Sequence, residues 1–188
     1  MTEELDDETL VSRVASGDRT AYAALVHRHG LRYRALACRF VSDVALAEDL
    51  VQDAFVKLWT HADRFDADKA KFTTWFHRIV VNRCLDEKRK RRPEPLPEGF
   101  DLPDSTPSVE ARMAADDNSG DLARALAALP ERQRTAVTLS YLDGLSNKQA
   151  AEVLDMNIKA FESLLVRARA KLRAELAGKA PQLFSAYG

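Results

Sequence analysis

Apolar residues recur along most of this chain at steps of three and four, the spacing of an α-helix with one buried face. Residues 44–58 show it most clearly, because a row of Leu and Ala is widened by neighbouring apolar residues. We expect that face to be buried in a bundle, and the pattern predicts an all-α fold. The segments with this spacing are about 7–14, 19–41, 44–58, 74–85, 131–142, 146–154 and 158–172.

The last two segments form a helix-turn-helix pattern between Leu145 and Leu176. Ser146 can cap the first helix, and Asn157 can cap the second after a turn too short for anything but a tight corner. One face of the second helix should pack on the first. The apolar residues of that face are Ile158, Phe161, Leu165, Ala168 and Leu172.

The opposite face of the second helix carries polar side chains near its start and cations further along. Polar side chains in the first turns can touch base edges in a major groove, and Lys and Arg neutralise phosphates. A solvated face gives the same pattern, but the short turn and the basic end favour DNA binding. The residues concerned are Lys159, Glu162, Ser163, Val166, Arg167 and Arg169.

Charge is segregated along the chain, although its sum is only −1 over 188 residues. Residues 83–92 are strongly basic, and five consecutive cations at 88–92 repel one another, which favours a polyanionic partner over a helix-dipole effect alone. The Pro-rich segment that follows is acidic and has little to bury, as is typical of a flexible linker.

These features predict two small helical bundles joined by a flexible acidic Pro-rich linker. The first bundle covers residues 1–92, the linker covers 93–120, and the helix-turn-helix bundle covers 121–180. Thr73 or Thr74 is the expected cap of the basic helix, and Asp7 of the first helix.

Several classes of function find little support. Cys38 and Cys84 belong to no CxxC or Cys/His pattern, and His27 and His29 have no ligand partner at suitable spacing, so we expect no metal site and no disulfide framework. This use of cysteine is consistent with a reducing cytoplasm. We also expect an intracellular protein, because the chain shows neither a signal peptide pattern nor an apolar run of the roughly 18 residues that a membrane span requires. Without a Gly-rich phosphate loop or nucleophile motif, we expect no cofactor, no catalytic residue and no enzyme activity.

Three blocks, in order, resemble the bacterial RNA polymerase sigma factors of the extracytoplasmic-function (ECF, group 4) subfamily of the sigma-70 family. DLVQDAFVKLW, residues 49–59, resembles the core-binding segment, and FTTWFHRIVVNRCLDEKRKRR, residues 72–92, resembles the minus-10 reading helix. The segment from Leu129 to Arg173 resembles the minus-35 domain. The resemblance covers nearly the whole chain and implies a promoter-specificity subunit that starts transcription.

The resemblance also implies roles for side chains that the pattern leaves as solvated surface. The face with Glu48, Asp49, Gln52 and Asp53 corresponds to the surface that docks on the clamp coiled coil of the β′ subunit. The loop 65–72 corresponds to one that captures a flipped base of the melted minus-10 element, and an Asn beside aromatic residues can bind such a base. The implied minus-10 residues are Phe65, Phe72, Trp75, Arg78, Asn82, Arg83 and Lys88.

For the minus-35 domain the resemblance adds Lys148 to the recognition-helix residues named above. This chain departs from the family at two places that bear on DNA specificity. Many members have a basic residue where this chain has Glu162, and many have Gly-Thr where it has Lys159 and Ala160. A Glu can accept from a cytosine amino group, so the preferred sequence need not be the common one. Asp155 stands where Gly is frequent, which predicts a slightly different turn.

The implied partners are core RNA polymerase, through the β′ clamp coiled coil and the β flap, promoter DNA, and an anti-sigma factor, with no membrane contact except through a partner. The implied setting is a cytoplasmic stress response. The alternative is a stand-alone helix-turn-helix regulator whose N-terminal domain senses a ligand or dimerises. Such a protein requires neither the acidic surface from Asp49 to Asp53 nor Asn82.

Overall fold

A computed structural model describes residues 5–41, 43–91 and 117–176, with side chains from Asp121 onward in the last range. The chain divides near Arg92 into two compact units, and the elements of the described ranges are helices. The predicted all-α, two-domain class is confirmed. Most of the predicted linker lies outside the described residues. Within the described part, no helix has the length and apolar character needed to cross a bilayer.

The first unit is a bundle of four helices. A single 3₁₀ turn follows the third helix, and a loop over residues 65–71 leads into the fourth. The helices are α1 (Asp7–Ala15), α2 (Arg19–Phe40), α3 (Val44–His61) and α4 (Phe72–Arg91), and the 3₁₀ turn is Ala62–Arg64.

Aspartates cap the first three helices by accepting hydrogen bonds from backbone N–H groups that lack an acceptor within the helix. Asp18 caps α2 and Asp43 caps α3. The prediction for α1 was wrong by one residue, because Asp6 accepts from Thr9 N at 2.8 Å and Asp7 is the first helical residue. Hydrogen bonding from Thr9 also lowers the pKa of Asp6.

The start of α4 differs from the prediction as well. The helix begins at Phe72, so neither Thr73 nor Thr74 is its cap. The backbone N–H of Phe72 instead donates to Glu8 Oε1 at 3.0 Å. A distant acidic side chain therefore does what a local cap was expected to do.

Aromatic rings fill the centre of the first unit. Tyr33, Phe72 and Phe76 are fully buried; the Tyr33 and Phe76 rings meet edge to face at 4.7 Å, and Phe72 stacks on Phe76 at 5.4 Å. Burial of each such side chain contributes roughly 1.5–3 kcal/mol. The apolar row of α3 faces this core as predicted, with Leu50 and Leu58 buried.

The second unit begins with a helix that starts at Asp117, inside the range predicted as linker. The helix that starts at Glu131 ends in a π turn, in which Asp143 N donates to Thr138 O at 3.0 Å. Gly144, with φ of 68°, then ends the segment. The elements are α5 (Asp117–Ala127), α6 (Glu131–Val137), the π turn Thr138–Leu142, α7 (Asn147–Val153) and α8 (Ile158–Glu175).

Helices α7 and α8 form the predicted helix-turn-helix. Ser146 and Gln149 make a reciprocal capping box, with Ser146 N donating to Gln149 Oε1 at 3.0 Å and Gln149 N donating to Ser146 Oγ at 3.3 Å. Asn157 Oδ1 caps α8 by accepting from Ala160 N at 2.8 Å. In the turn, Asp155 has a φ of 54°, a left-handed conformation that short polar side chains tolerate better than most.

One residue of the expected packing face of α8 is exposed. Ile158 is 44 % exposed, so the prediction that it packs was wrong. Ile158 is the first residue of α8, directly after the cap Asn157, and a residue at a helix terminus has fewer neighbours to cover it. The other predicted residues are buried, and Leu164 joins them: Phe161, Leu164, Leu165, Ala168 and Leu172.

Candidate functional site

The predicted polymerase-binding residues lie on the side of α3 that faces away from the core. Asp49, Gln52 and Asp53 are exposed, and their spacing puts them on one face. Glu48 is half-buried and accepts from Arg34 Nη1 at 2.9 Å. We call these four residues the acidic face.

Val56 extends the acidic face by one turn and is 57 % exposed. Val56 was not among the residues predicted for this surface, although its position three residues after Asp53 places it on the same side of the helix. The surface therefore combines carboxylates with an uncovered apolar side chain, a composition that suits a protein partner.

Asp53 is also bonded to a residue of α4. Arg83 Nη2 donates to Asp53 Oδ2, and the two side chains are 19 % and 56 % exposed respectively. From the sequence we expected these residues to contact different partners, Asp53 polymerase and Arg83 DNA. The structure brings them together across the α3–α4 packing.

The loop before α4 and its first turn form an aromatic wall. The Phe65 and Trp75 rings lie 5.4 Å apart and are both partly exposed. Phe72 lies 6.5 Å from each ring but is fully buried. The expectation that Phe72 contacts a base is therefore contradicted, because its side chain has no surface to offer and instead supports the other two rings from the core.

The outer side of α4 continues this wall. Arg78 and Asn82 are exposed and follow Trp75 at steps of three and seven, so the three side chains share a face. We call Phe65, Trp75, Arg78 and Asn82 the aromatic corner. It combines two ring faces for stacking, an amide for base edges and a cation for phosphate.

Acids of α4 moderate the basic run at the end of the helix. Arg89 pairs with Asp86, and Arg91 donates to Glu87 at 3.0 Å. Lys88, predicted to contact DNA, is half-buried in the same turns. These pairs reduce the repulsion among the cations of residues 88–92, so that repulsion is a weaker reason to expect a polyanionic partner than it was from the sequence.

A buried histidine of α4, His77, packs against Tyr33 of α2, with the two rings 4.9 Å apart. His77 Nδ1 is 2.6 Å from Thr73 O, so it carries the hydrogen and donates, and Tyr33 Oη donates to the same carbonyl at 3.2 Å. Burial lowers the pKa of His77 to about 4, which keeps the imidazole neutral. The sequence does carry a signal for this group, because His77 precedes the buried Val80, Val81 and Cys84 by three, four and seven positions and so shares their face.

The second unit exposes the predicted recognition residues. On α8 they share one side, with Arg169 half-buried on its flank, and Lys148 is exposed on α7. Ser163 Oγ donates to Lys159 O at 2.9 Å, and Arg167 Nε donates to Ser163 O at 3.3 Å. We call the exposed set the recognition face: Lys159, Glu162, Ser163, Val166 and Arg167.

The recognition face combines hydrogen-bond acceptors, cations and an apolar side chain, all of which can contact a DNA major groove. Glu162 and Ser163 offer acceptors, Lys159 and Arg167 are cations, and Val166 presents an apolar surface that is 58 % exposed. Such a set can discriminate base edges while neutralising phosphates. Among the residues that the structure describes, His, Cys, Asp and Glu form no group of three that could hold a metal ion.

Comparison with protein families matches both units. The profile of Sigma-70 region 2 matches residues 25–94, and the profile of Sigma-70, region 4 matches residues 119–172. The RNA polymerase sigma factor NccH of Alcaligenes xylosoxydans xylosoxydans is 34 % identical, over 94 % of this chain and 97 % of NccH. The ECF RNA polymerase sigma-E factor of Escherichia coli K12 is 33 % identical, over 90 % of this chain and 93 % of that protein.

Solved structures give the same result. CnrH in complex with the cytosolic domain of CnrY superposes with a TM-score of 0.70 at 33 % identity, covering 93 % of this chain and 99 % of CnrH. RpoE of Bartonella quintana, in complex with the anti-sigma factor NepR, gives a TM-score of 0.60 at 26 % identity, covering 82 % of this chain and 96 % of RpoE. The chain therefore belongs to the sigma-70 family of RNA polymerase sigma factors, in its extracytoplasmic-function group.

Proposed function

We propose that this chain directs core RNA polymerase to promoters by binding a minus-10 and a minus-35 element with separate domains. The observation that carries the proposal is the match of region 2 and region 4, in order, to two units that each expose a surface suited to the expected partner. A stand-alone regulator does not account for the match of Sigma-70 region 2 to residues 25–94, which covers most of the first unit. Membership of this family also supports the prediction that the chain is not an enzyme.

The first domain, residues 1–92, docks on polymerase through the acidic face. Carboxylates on an exposed helix side suit a basic partner, and the β′ clamp coiled coil is the partner that the family implies. Val56 adds apolar contact to the same surface. Because charge complementarity mainly accelerates association, we expect docking to be sensitive to salt.

The aromatic corner of the same domain holds the melted minus-10 strand. An extruded base can stack on Phe65 or Trp75, with Asn82 bonding to its edge and Arg78 near its phosphate. Arg83 and Lys88 are further along α4 and are suited to phosphate contacts. Opening then proceeds by trapping of the displaced strand, and the protein performs no chemistry.

The second domain, residues 121–180, reads the minus-35 duplex with the recognition face and contacts the β flap of polymerase. Lys148 and Arg169 flank that face and suit phosphate contacts. Residues 93–120 act as the linker, with α5 beginning at Asp117 inside this range. A flexible connection leaves the two DNA contacts at no fixed distance, so the free chain binds promoters weakly until polymerase sets their spacing.

An anti-sigma factor holds the chain inactive in this proposal. Two structural relatives are sigma factors solved with such partners, the cytosolic domain of CnrY and NepR. Core polymerase and promoters are cytoplasmic in bacteria, so the proposed function locates the chain there.

The test is run-off transcription from genomic fragments with purified chain and core polymerase. We expect transcripts from a defined set of fragments, and a variant with Asp49→Lys and Asp53→Lys to lose core binding at least tenfold in co-purification. Asp63→Lys is the matched control, because it reverses an exposed acid outside the acidic face. Equal core binding by the double variant and the control contradicts the docking surface, and the absence of any transcript contradicts the function.

A further inference from the structure

An acid of α1 reaches the first residue of the minus-10 helix. Glu8 Oε1 accepts from Phe72 N at 3.0 Å, across 64 positions of sequence. The Phe72 N–H lies in the first turn of α4, where backbone donors have no acceptor within the helix. A carboxylate at this end also interacts favourably with the helix dipole. Glu8 therefore fixes where α4 begins.

The neighbouring acid, Asp7, acts on the same residue through His29. Asp7 Oδ2 lies 2.8 Å from His29 Nε2, which donates because a carboxylate only accepts. The His29 ring, only 6 % exposed, lies 5.2 Å from the Phe72 ring. Asp7 Oδ1 also accepts from Arg28 Nη1 at 2.6 Å. Glu8 thus holds the backbone of Phe72, and Asp7 holds the histidine against its ring.

Phe72 in turn supports the aromatic corner. Its buried ring lies 6.5 Å from both Phe65 and Trp75, whose partly exposed rings form the wall of the corner. A displacement of the start of α4 moves Trp75, one turn later, and the end of the loop together. The position of the wall therefore depends on contacts that originate in α1.

Helix α1 is packed firmly against the rest of the first unit. Val11, Val14 and Leu10 are at most 5 % exposed, so the helix is held by its apolar side while its acids face α2 and α4. Asp7 and Glu8 are the first two residues of α1 and precede those apolar positions. Their side chains are thereby presented at a fixed place rather than on a free terminus.

We propose that Glu8, assisted by Asp7, is a positioning residue for capture of the minus-10 strand. The pair touches no nucleotide; it holds Phe72, and through Phe72 it sets the geometry of Phe65 and Trp75. This inference rests on the proposed function of the aromatic corner and extends it to a helix outside the segments that the resemblance assigns to DNA.

The decisive comparison is between Glu8→Ala and Glu8→Gln in holoenzyme. Alanine removes the acceptor for Phe72 N, whereas the glutamine amide oxygen keeps it. We expect Glu8→Ala to slow opening about fivefold or more, and Glu8→Gln to stay within about twofold of the parent chain. Promoter opening is measured by the fluorescence of 2-aminopurine placed in the minus-10 region of a promoter fragment selected by run-off transcription. We expect the affinity for core polymerase to be unchanged in both variants.

A spectroscopic measurement separates positioning from general loss of structure. In a Trp59→Phe background, Trp75 is the remaining tryptophan, and acrylamide quenching reports its accessibility. We expect stronger quenching in Glu8→Ala than in Glu8→Gln, at equal helical circular dichroism. If Glu8→Ala does not fold, Glu8→Asp replaces it, since a side chain shorter by one methylene cannot reach Phe72 N without movement. We then expect stronger quenching in Glu8→Asp than in Glu8→Gln.

Asn82→Ala and Trp75→Ala serve as references for the corner itself. Slow opening in both references and normal opening in Glu8→Ala overturns this inference alone. Normal opening in both references instead overturns the proposed function of the corner, and the inference with it. Equal slowing by Glu8→Ala and Glu8→Gln also counts against the inference, because the hydrogen bond to Phe72 would then be irrelevant.

Discussion

Arg83 on α4 donates a hydrogen bond to Asp53 on α3, so a residue proposed to contact DNA is bonded to a residue proposed to dock on polymerase. The pair is partly exposed, and such ion pairs contribute about 0–1 kcal/mol to stability. A bond this weak is easily exchanged for another. A basic group of polymerase that engages Asp53 would release the Arg83 guanidinium toward the DNA strand.

The exchange can be tested with single substitutions at this pair. We expect Asp53→Ala to raise the affinity of the free chain for a single-stranded minus-10 oligonucleotide two- to fivefold, measured by fluorescence anisotropy at low salt, because Arg83 is released. The same variant should bind core polymerase more weakly. Asp49→Ala is the control, since it removes a charge from the same face without a bond to Arg83. An equal gain in both variants would reflect net charge alone and would reject the exchange.

Asn82 offers a separate test of strand capture. We expect Asn82→Ala to reduce the formation of open complexes about tenfold while core binding and duplex binding stay unchanged, because an amide that bonds to an extruded base acts only after the strands separate. Permanganate reactivity of thymines in the melted region measures the effect. Asn147→Ala, on the second domain, is a matched amide control. Normal melting by the Asn82 variant would remove this residue from the pocket.

Features set by local sequence were predicted well. Apolar spacing predicted the helices, and the cap Asn157 was predicted because a cap bonds to backbone only two or three residues away. The bond from Phe72 to Glu8 was not predictable, because spacing along one helix carries no information about a partner 64 positions distant. The burial of Phe72 beside the partly exposed Phe65 was missed for the same reason.

The roles within the recognition face can be separated by substitution. Arg167→Ala should weaken binding to all duplexes by a similar factor and reduce the slope of log affinity against log salt by about one, as expected for one lost phosphate contact. Glu162→Ala should relax the preference at one base pair, a change of about 1–3 kcal/mol in discrimination. Selection of bound duplexes from a randomised minus-35 pool, with Glu175→Ala as an exposed control on the same helix, measures both. Uniform losses from both variants would show that Glu162 reads no base.

The buried His77 predicts a dependence of stability on pH. Its pKa is lowered from 6.5 to about 4, first by burial and further by Arg32 and His29, against the hydrogen bond to Thr73. Between those values the unfolded chain binds a proton that the folded chain does not, so the contribution is fully present above pH 6.5 and is lost as the pH falls toward 4. The gap corresponds to a loss of about 3 kcal/mol.

Urea denaturation at several pH values measures this loss. Carboxylates also titrate in the acid range, so the informative quantity is the difference between the parent chain and His77→Phe, which keeps an aromatic ring at the site but cannot bind a proton. We expect the variant to lose less stability than the parent chain between pH 6.5 and pH 4. His27→Phe, at an exposed position of α2, should retain the parental dependence. If His77→Phe shows the same slope as the parent chain, the fold does not hold the imidazole neutral, and His77 is not an uncharged donor to Thr73.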